Sequence, residues 1–282
     1  MELRSPQARQ RYDDLVAAAA HSVICLDFDG VLAPIVDDPE QAHIQPGAPD
    51  VLTALARPFR ALAVVTGRPV RQAITLGDLD ALGARIVEHD GDLLVLGQYG
   101  NERWTARTDR VVTPRPPKGL ASFAAELPEL LRREGFEEAH LEQKSLAVAV
   151  HTRRLSDPQG ALERLTPALR RAAEAHGLAL EPGRMVLEVR APGMNKGNAV
   201  RTLQKELHAD GMLFAGDDLG DVEAFQAIRD LRRGGMVGLL VCSGSEEQQA
   251  LVDLADVVVP GPEGVVELLS QLAEDAAEAS GR

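Results

Sequence analysis

The chain has 282 residues, a formal charge of −13, 45% hydrophobic and 26% charged side chains, and 2 cysteines. At roughly 100–200 residues per domain this is one or two globular domains, which excludes a disordered chain, a collagen-like repeat and a disulfide-built scaffold. The acidic balance argues against a nucleic-acid or anionic-membrane binder, and no apolar run approaches the ~18–20 residues that span a bilayer.

In chain order, the N-terminal stretch reads as an amphipathic helix started near Ser5-Pro6, without the long apolar region of a secretory signal. Cys25 and Cys242 lie in separate apolar runs, so a reducing compartment and a cytoplasmic protein are expected; a monomer is expected as well. Residues 22–28 form a short apolar run closed by Asp29-Gly30, the pattern of a buried strand. Pro34, Pro39, Pro46 and Pro49 then break the chain into a loop before a short helix over 51–56. Residues 61–65 make a second strand ending in Thr66-Gly67-Arg68, with Pro69 suited to the first turn of a helix. The stretch 84–99 is expected to hold two strands about the turn His89-Asp90-Gly91-Asp92.

A composition shift at Pro114-Arg115-Pro116-Pro117 marks a boundary. Beyond it the order helix (119–133), strands (139–142 and 145–152), helix (157–176), strands (178–181 and 185–189) reads as an α+β module with an antiparallel sheet. The alternating pattern then returns: helix 196–208, strand 212–216, helix 221–229, strand 236–242, helix 246–252, strand 256–259 and helix 263–278. The fold class is therefore α/β, a parallel-sheet core of residues 1–112 and 190–282 with a smaller module, 113–189, inserted. Residues 113–189 carry 11 basic and 11 acidic side chains, so the whole acidic excess falls on the core.

Four segments carry chemistry. Asp27 and Asp29 sit at i and i+2 directly after the first buried strand, where parallel sheets bind ligands. Paired carboxylates there call for a hard divalent cation such as Mg²⁺; taken alone, Asp29-Gly30 would be a hairpin turn. Thr66 ends the second strand, where a hydroxyl and the free amides of a helix start could cradle phosphate, or the hydroxyl could simply cap the helix. Lys196 opens the helix after the module as a point charge. Asp217, Asp218 and Asp221 follow strand 212–216, either around a cation or as a solvated acidic turn.

The ordered set strand–DxDG, strand–Thr, helix-initial Lys, strand–GDDxxD resembles the haloacid dehalogenase-like superfamily, whose core is a Rossmann-like sheet. The resemblance implies that Asp27 is a nucleophile and Asp29 a general acid/base. Thr66 and Lys196 would hold phosphoryl oxygens. Mg²⁺ would lie among Asp27, the main-chain carbonyl of Asp29 and Asp217, with Asp218 and Asp221 behind. The inserted module then looks like a cap. Within it Leu141-Glu142-Gln143-Lys144-Ser145, Val150-His151-Thr152-Arg153 and Leu187-Glu188-Val189-Arg190 resemble the E-x-K, H-x-R and E-x-R patterns of trehalose-6-phosphate phosphatases. DFDGVLAPIVDDP, Tyr99-Gly100-Asn101-Glu102 and GDDLGDVEAF resemble the same family.

That likeness implies Mg²⁺-dependent hydrolysis of trehalose 6-phosphate, a small sugar phosphate, to trehalose and phosphate. Gly67, Arg68, Glu142, Lys144, Arg153 and Glu188 would contact substrate, and any trehalose-phosphate synthase partner would be a separate chain. His151 reads as structural, and Trp104 as either core or lip. Three positions depart from the family pattern: Val31 and Gly220 stand where Thr is usual, and Tyr99 where His is usual. A phosphatase for another sugar phosphate, such as sucrose phosphate or mannosyl-phosphoglycerate, shares the same core. A non-catalytic sugar-phosphate sensor would instead be expected to have lost part of the carboxylate set.

Overall fold

The computed structural model describes residues 2–183, 185–244 and 249–281. In chain order these form β1 (Glu2–Leu3), α1 (Pro6–Ala17), β2 (Ser22–Leu26), α2 (Ala48–Leu55), β3 (Ala61–Val65), α3 (Val70–Gly77), α4 (Leu79–Val87), β4 (Leu93–Gly97), β5 (Glu102–Thr105) and β6 (Arg110–Val112). There follow α5 (Leu120–Glu134), β7 (His140–Gln143), β8 (Ala147–His151), α6 (Pro158–Ala175), β9 (Ala179–Gly183) and β10 (Val186–Arg190). The chain closes with α7 (Lys196–Glu206), β11 (Gly211–Gly216), α8 (Val222–Arg233), β12 (Val237–Gly244), α9 (Gln249–Val252), β13 (Val257–Pro260) and α10 (Gly261–Ala279). Two compact units result, Met1–Thr113 with Asn195–Arg282, and Pro114–Met194.

The first unit is built on a sheet of order β1-β13-β12-β11-β2-β3-β4-β5-β6. The strands from β13 to β4 are parallel, and β1, β5 and β6 run antiparallel at the two edges. Strand alternation sorts the apolar side chains onto two faces. Ile24, Leu26, Leu62, Val64, Leu213 and Ala215 pack with residues of α1 to α4 and α10. Val23, Cys25, Ala61, Ala63, Met212 and Phe214 pack with residues of α7 and α8. Burial on both faces explains why these strands read as continuous apolar runs. Because β2 pairs in parallel with both β3 and β11, the carboxyl ends of the three strands lie along one sheet edge.

The second unit has a sheet of order β7-β8-β10-β9, antiparallel throughout. Val148, Val150, Leu180, Leu187 and Val189 form its apolar face against α5 and α6. The alternate positions, among them Glu142, Ala149, Glu181 and Glu188, stand in register across the opposite face.

Sequence and structure differ at three places. Residues 84–99 do not hold two strands: the first part belongs to α4, whose Leu79, Leu82 and Ile86 are buried at helical spacing, and only β4 is extended. The hairpin β5–β6 was not expected from the sequence, since β6 is an exposed edge strand without an apolar run. The compact inserted unit spans Pro114–Met194, where the sequence suggests 113–189. Of the expected helix 246–252, residues 246–248 lie outside the described residues, and Gln249–Val252 is helical.

Candidate active site

Strand β2 delivers the first carboxylate. The Asp27 amide donates to Ala215 O at 2.9 Å, prolonging the ladder by one residue and fixing the backbone that carries the side chain. Asp27 Oδ1 accepts from the Phe28 amide at 2.7 Å, and Oδ2 lies 2.7 Å from Lys196 Nζ. The chain then turns back, with the Leu32 and Ala33 amides both donating to Phe28 O. Gly30 makes this turn at φ +71°, and a Cβ there would fall 2.1 Å from Asp217 Oδ2. Only glycine supplies both the left-handed backbone and the room for that carboxylate. Ser243, at the end of β12, donates its hydroxyl to Gly30 O at 2.5 Å and pins the turn from below.

Lys196 is the first residue of α7, whose cap Asn195 accepts from the Asn198 amide. Its ammonium group bridges Asp27 and Asp221, at 2.7 Å from each. Asp221 is fully buried, and its other oxygen accepts from the amides of Asp217 at 3.0 Å and Asp218 at 3.3 Å. Asp218 is exposed and caps the acidic turn by accepting from the Gly220 amide. Thr66 is buried at the end of β3, with Oγ1 accepting from the Arg68 amide at 3.0 Å. Asp29 is gripped by the Arg68 guanidinium through two bonds of 2.7 and 2.8 Å. At the helix start beyond, one amide is already taken, because Glu102 Oε2 accepts from the Val70 amide at 2.8 Å.

The charges do not balance. Asp27, Asp217 and Asp221 each place an oxygen within 4.8 Å of the others, with Lys196 as the cation among them. Burial, followed by the neighbouring Asp221 and Asp218, pushes the Asp217 carboxyl up to about 8. Burial also raises Asp27 and Asp221 against the pull of Lys196. Lys196 is itself held well above its ordinary value, with Asp221 and Asp27 outweighing its burial. An all-oxygen group with surplus negative charge at a sheet edge suits a hard divalent cation.

The inserted unit carries a different cluster on its polar sheet face. Glu188 is buried, with one oxygen 2.6 Å from Lys144 Nζ and the other 2.7 Å from an Arg190 nitrogen. Burial alone would raise Glu188, but Lys144 and then Arg190 overcome it and hold the carboxyl below its ordinary value. Glu142 Oε2 lies 2.9 Å from His151 Nε2; that hydrogen bond, then Lys144, outweighs burial and lowers Glu142. Ala147 and Ala149 are the small residues in the same rows.

The family model for trehalose-phosphatase matches residues 128–257, rather less than half of the chain. Trehalose-phosphate phosphatase B of Arabidopsis thaliana is 28% identical over 96% of this chain and 72% of its own length. The chain is related to the trehalose-phosphatases. An uncharacterized glycosyl hydrolase of Mycobacterium tuberculosis is 32% identical over 97% of this chain, which spans 20% of that relative's length. The solved C-terminal domain of the C. albicans trehalose-6-phosphate phosphatase superposes with a TM-score of 0.75 at 20% identity, covering 96% of this chain and 97% of that one. The core is the haloacid dehalogenase-like fold expected from the sequence.

Against the trehalose-phosphatase pattern, the structure brings together Asp27, Asp217, Asp221 and Lys196, and separately Lys144 and Glu188. Asp29 and Asp218 stand outside the carboxylate group, turned to Arg68 and Gly220. Arg153 is exposed in the turn after β8, apart from the Lys144–Glu188–Arg190 cluster. Gly67 lies under Tyr99, whose hydroxyl oxygen would be 2.9 Å from a Cβ at that position. Trp104 is core, 2% exposed, with its indole N–H on Asp109. Two residues were given no role by the sequence: Arg190, although it stands in the E-x-R pattern, and Ser243. Arg190 could have been found, since it lies two positions after Glu188 on the same strand face. Ser243 gave no signal, because its role depends on a strand pairing distant in sequence.

Proposed function

We propose that this chain is a phosphatase that hydrolyses trehalose 6-phosphate to trehalose and phosphate. The observation that carries the reading is the buried Asp27–Lys196–Asp221 chain beside Asp217 on one sheet edge, in a relative of the trehalose-phosphatases. Asp27 attacks phosphorus in line; the Asp27–P bond forms as the P–O6 bond breaks, and Asp29 gives its proton to O6. Water then attacks phosphorus as the Asp27–P bond breaks, Asp29 takes a proton from the water, and phosphate leaves with Asp27 regenerated, so one difficult step becomes two easier ones. Lys196 orients Asp27 and, with Thr66, stabilises charge on the phosphoryl oxygens.

Asp27 and Asp217 would hold Mg²⁺, with Asp221 behind them. When bound, that cation offsets repulsion between Asp27 and the phosphate dianion. Glu142, Lys144 and Glu188 bind the sugar hydroxyls through charge-assisted hydrogen bonds. The two buried thiols suit a reducing, cytoplasmic setting. Hydrolysis of another phosphorylated sugar is the second reading, favoured by the outlying position of Arg153 and by Tyr99 over Gly67. Phosphate release from a panel of sugar phosphates, with and without Mg²⁺, separates the two. Preference for a substrate other than trehalose 6-phosphate removes the specific assignment and keeps the class.

A further inference from the structure

In the turn after β3, every nitrogen of one guanidinium is committed. Arg68 Nε donates to Asp29 Oδ2 at 2.8 Å, and one terminal nitrogen donates to Asp29 Oδ1 at 2.7 Å. The other terminal nitrogen donates to Pro39 O at 2.9 Å, and the guanidinium carbon stands 5.5 Å from the Phe28 ring centroid. The Arg68 backbone is held as firmly, its amide on Thr66 Oγ1 at 3.0 Å and its carbonyl accepting from the Gln98 amide at 2.9 Å. The Arg68 side chain is 11% exposed, whereas that of Asp29 is 40% exposed and open to a ligand. A two-bond fork fixes the plane of a carboxylate as well as its position, which a point charge cannot do.

We propose that Arg68 is a positioning residue for Asp29, setting the direction in which that carboxyl presents its proton, and is not a phosphate ligand. The inference rests on the phosphatase reading and deepens it. The two roles differ in chemistry. The later water step is common to all substrates; in kcat/KM, which ends at transfer of the phosphoryl group, a residue that acts through Asp29 matters only as far as the leaving oxygen needs a proton. The sugar O6 leaves as an alcohol, so the Asp29 proton must reach it as the P–O6 bond breaks. In p-nitrophenyl phosphate the same bond type breaks, but the phenolate is stable enough to depart unprotonated. A cation bound to the phosphate would serve both substrates equally.

The test compares kcat/KM for trehalose 6-phosphate and p-nitrophenyl phosphate in Arg68→Ala and Arg68→Lys, using the Mg²⁺-loaded full chain. General acid catalysis contributes roughly 10²–10⁴-fold, so misdirecting Asp29 should cost the sugar phosphate about tenfold or more beyond any loss on the aryl phosphate. Arg68→Lys should restore little of that ratio, because lysine cannot form the fork. A ratio of rates on one preparation cancels any difference in folded fraction. In an Asp29→Ala background, Arg68→Ala should shift the ratio no further. Equal losses on both substrates, or a further shift of similar size in the double variant, overturn the inference. Full turnover by Asp27→Asn would instead overturn the phosphatase reading beneath it.

Discussion

The two polar clusters handle charge in opposite ways. Around Asp27, three buried carboxylates share one ammonium, and the surplus lifts Asp217 to about 8. Around Glu188, one buried carboxylate is matched by Lys144 and Arg190 and is held below its ordinary value. The first cluster has more carboxylates than cations and suits a further cation. The second already pairs its buried carboxylate with two cations, so a ligand there meets groups that are engaged with one another. On the proposed function, a site for chemistry on a dianion and a site for a neutral sugar would be expected to differ in this way.

The largest expected effect tests the reactive half of this contrast. Asp27→Asn should lower phosphate release by at least about 10³-fold with the chain still folded by circular dichroism. Next is the metal-free core, where a raised carboxyl is an inverted stability contribution. The folded state keeps the Asp217 proton up to about 8 while the unfolded state releases it near ~4, so stability falls as pH rises across that window. Thermal melts without metal should drop between those pH values. A divalent cation at about 100 times its Kd should restore about 2.7 kcal/mol at the upper end, and Asp217→Asn should flatten both responses. A metal-free melting temperature that rises over the same interval would break the comparison.

The inserted unit should show the opposite sign. Glu188 and Glu142 are lowered, so their contribution is present above the unfolded carboxyl value near ~4.3 and is lost as pH falls through their folded values. Hydrogen exchange read separately in β8 and β11 should reveal the two trends in one titration. If Lys144 binds the sugar as proposed and does not react, Lys144→Ala should raise KM about tenfold or more with a smaller change in kcat. The smallest effect is Ser243→Ala, which removes one buried hydrogen bond worth about 1 kcal/mol and is read by denaturant melts.

The core site was legible because each of its groups follows a short apolar run or opens a helix, and parallel pairing aligns such ends without further information. Asp27, Thr66, Lys196 and Asp217 are therefore placed by local pattern alone. The partners were not legible. Arg68 sits in the same turn as Thr66, yet its fork on Asp29 depends on how two loops converge. Residues 84–99 failed for a different reason: a helix and a strand of similar apolar content adjoin there, and only the burial of Leu79, Leu82 and Ile86 separates them. In the inserted unit, strand alternation announced the polar face, but not that Arg190 completes the pairing of Glu188.

Gly30 has a consequence for how this chain can vary. A methyl group there would occupy the place of Asp217 Oδ2, although the two residues are far apart in sequence. Any substitution at 30 must therefore displace a carboxylate, and shortening the side chain at 217 would remove that carboxylate altogether. The two positions are locked together: neither can drift first, and a saturation library should return almost no active clones at position 30, whatever is allowed at 217.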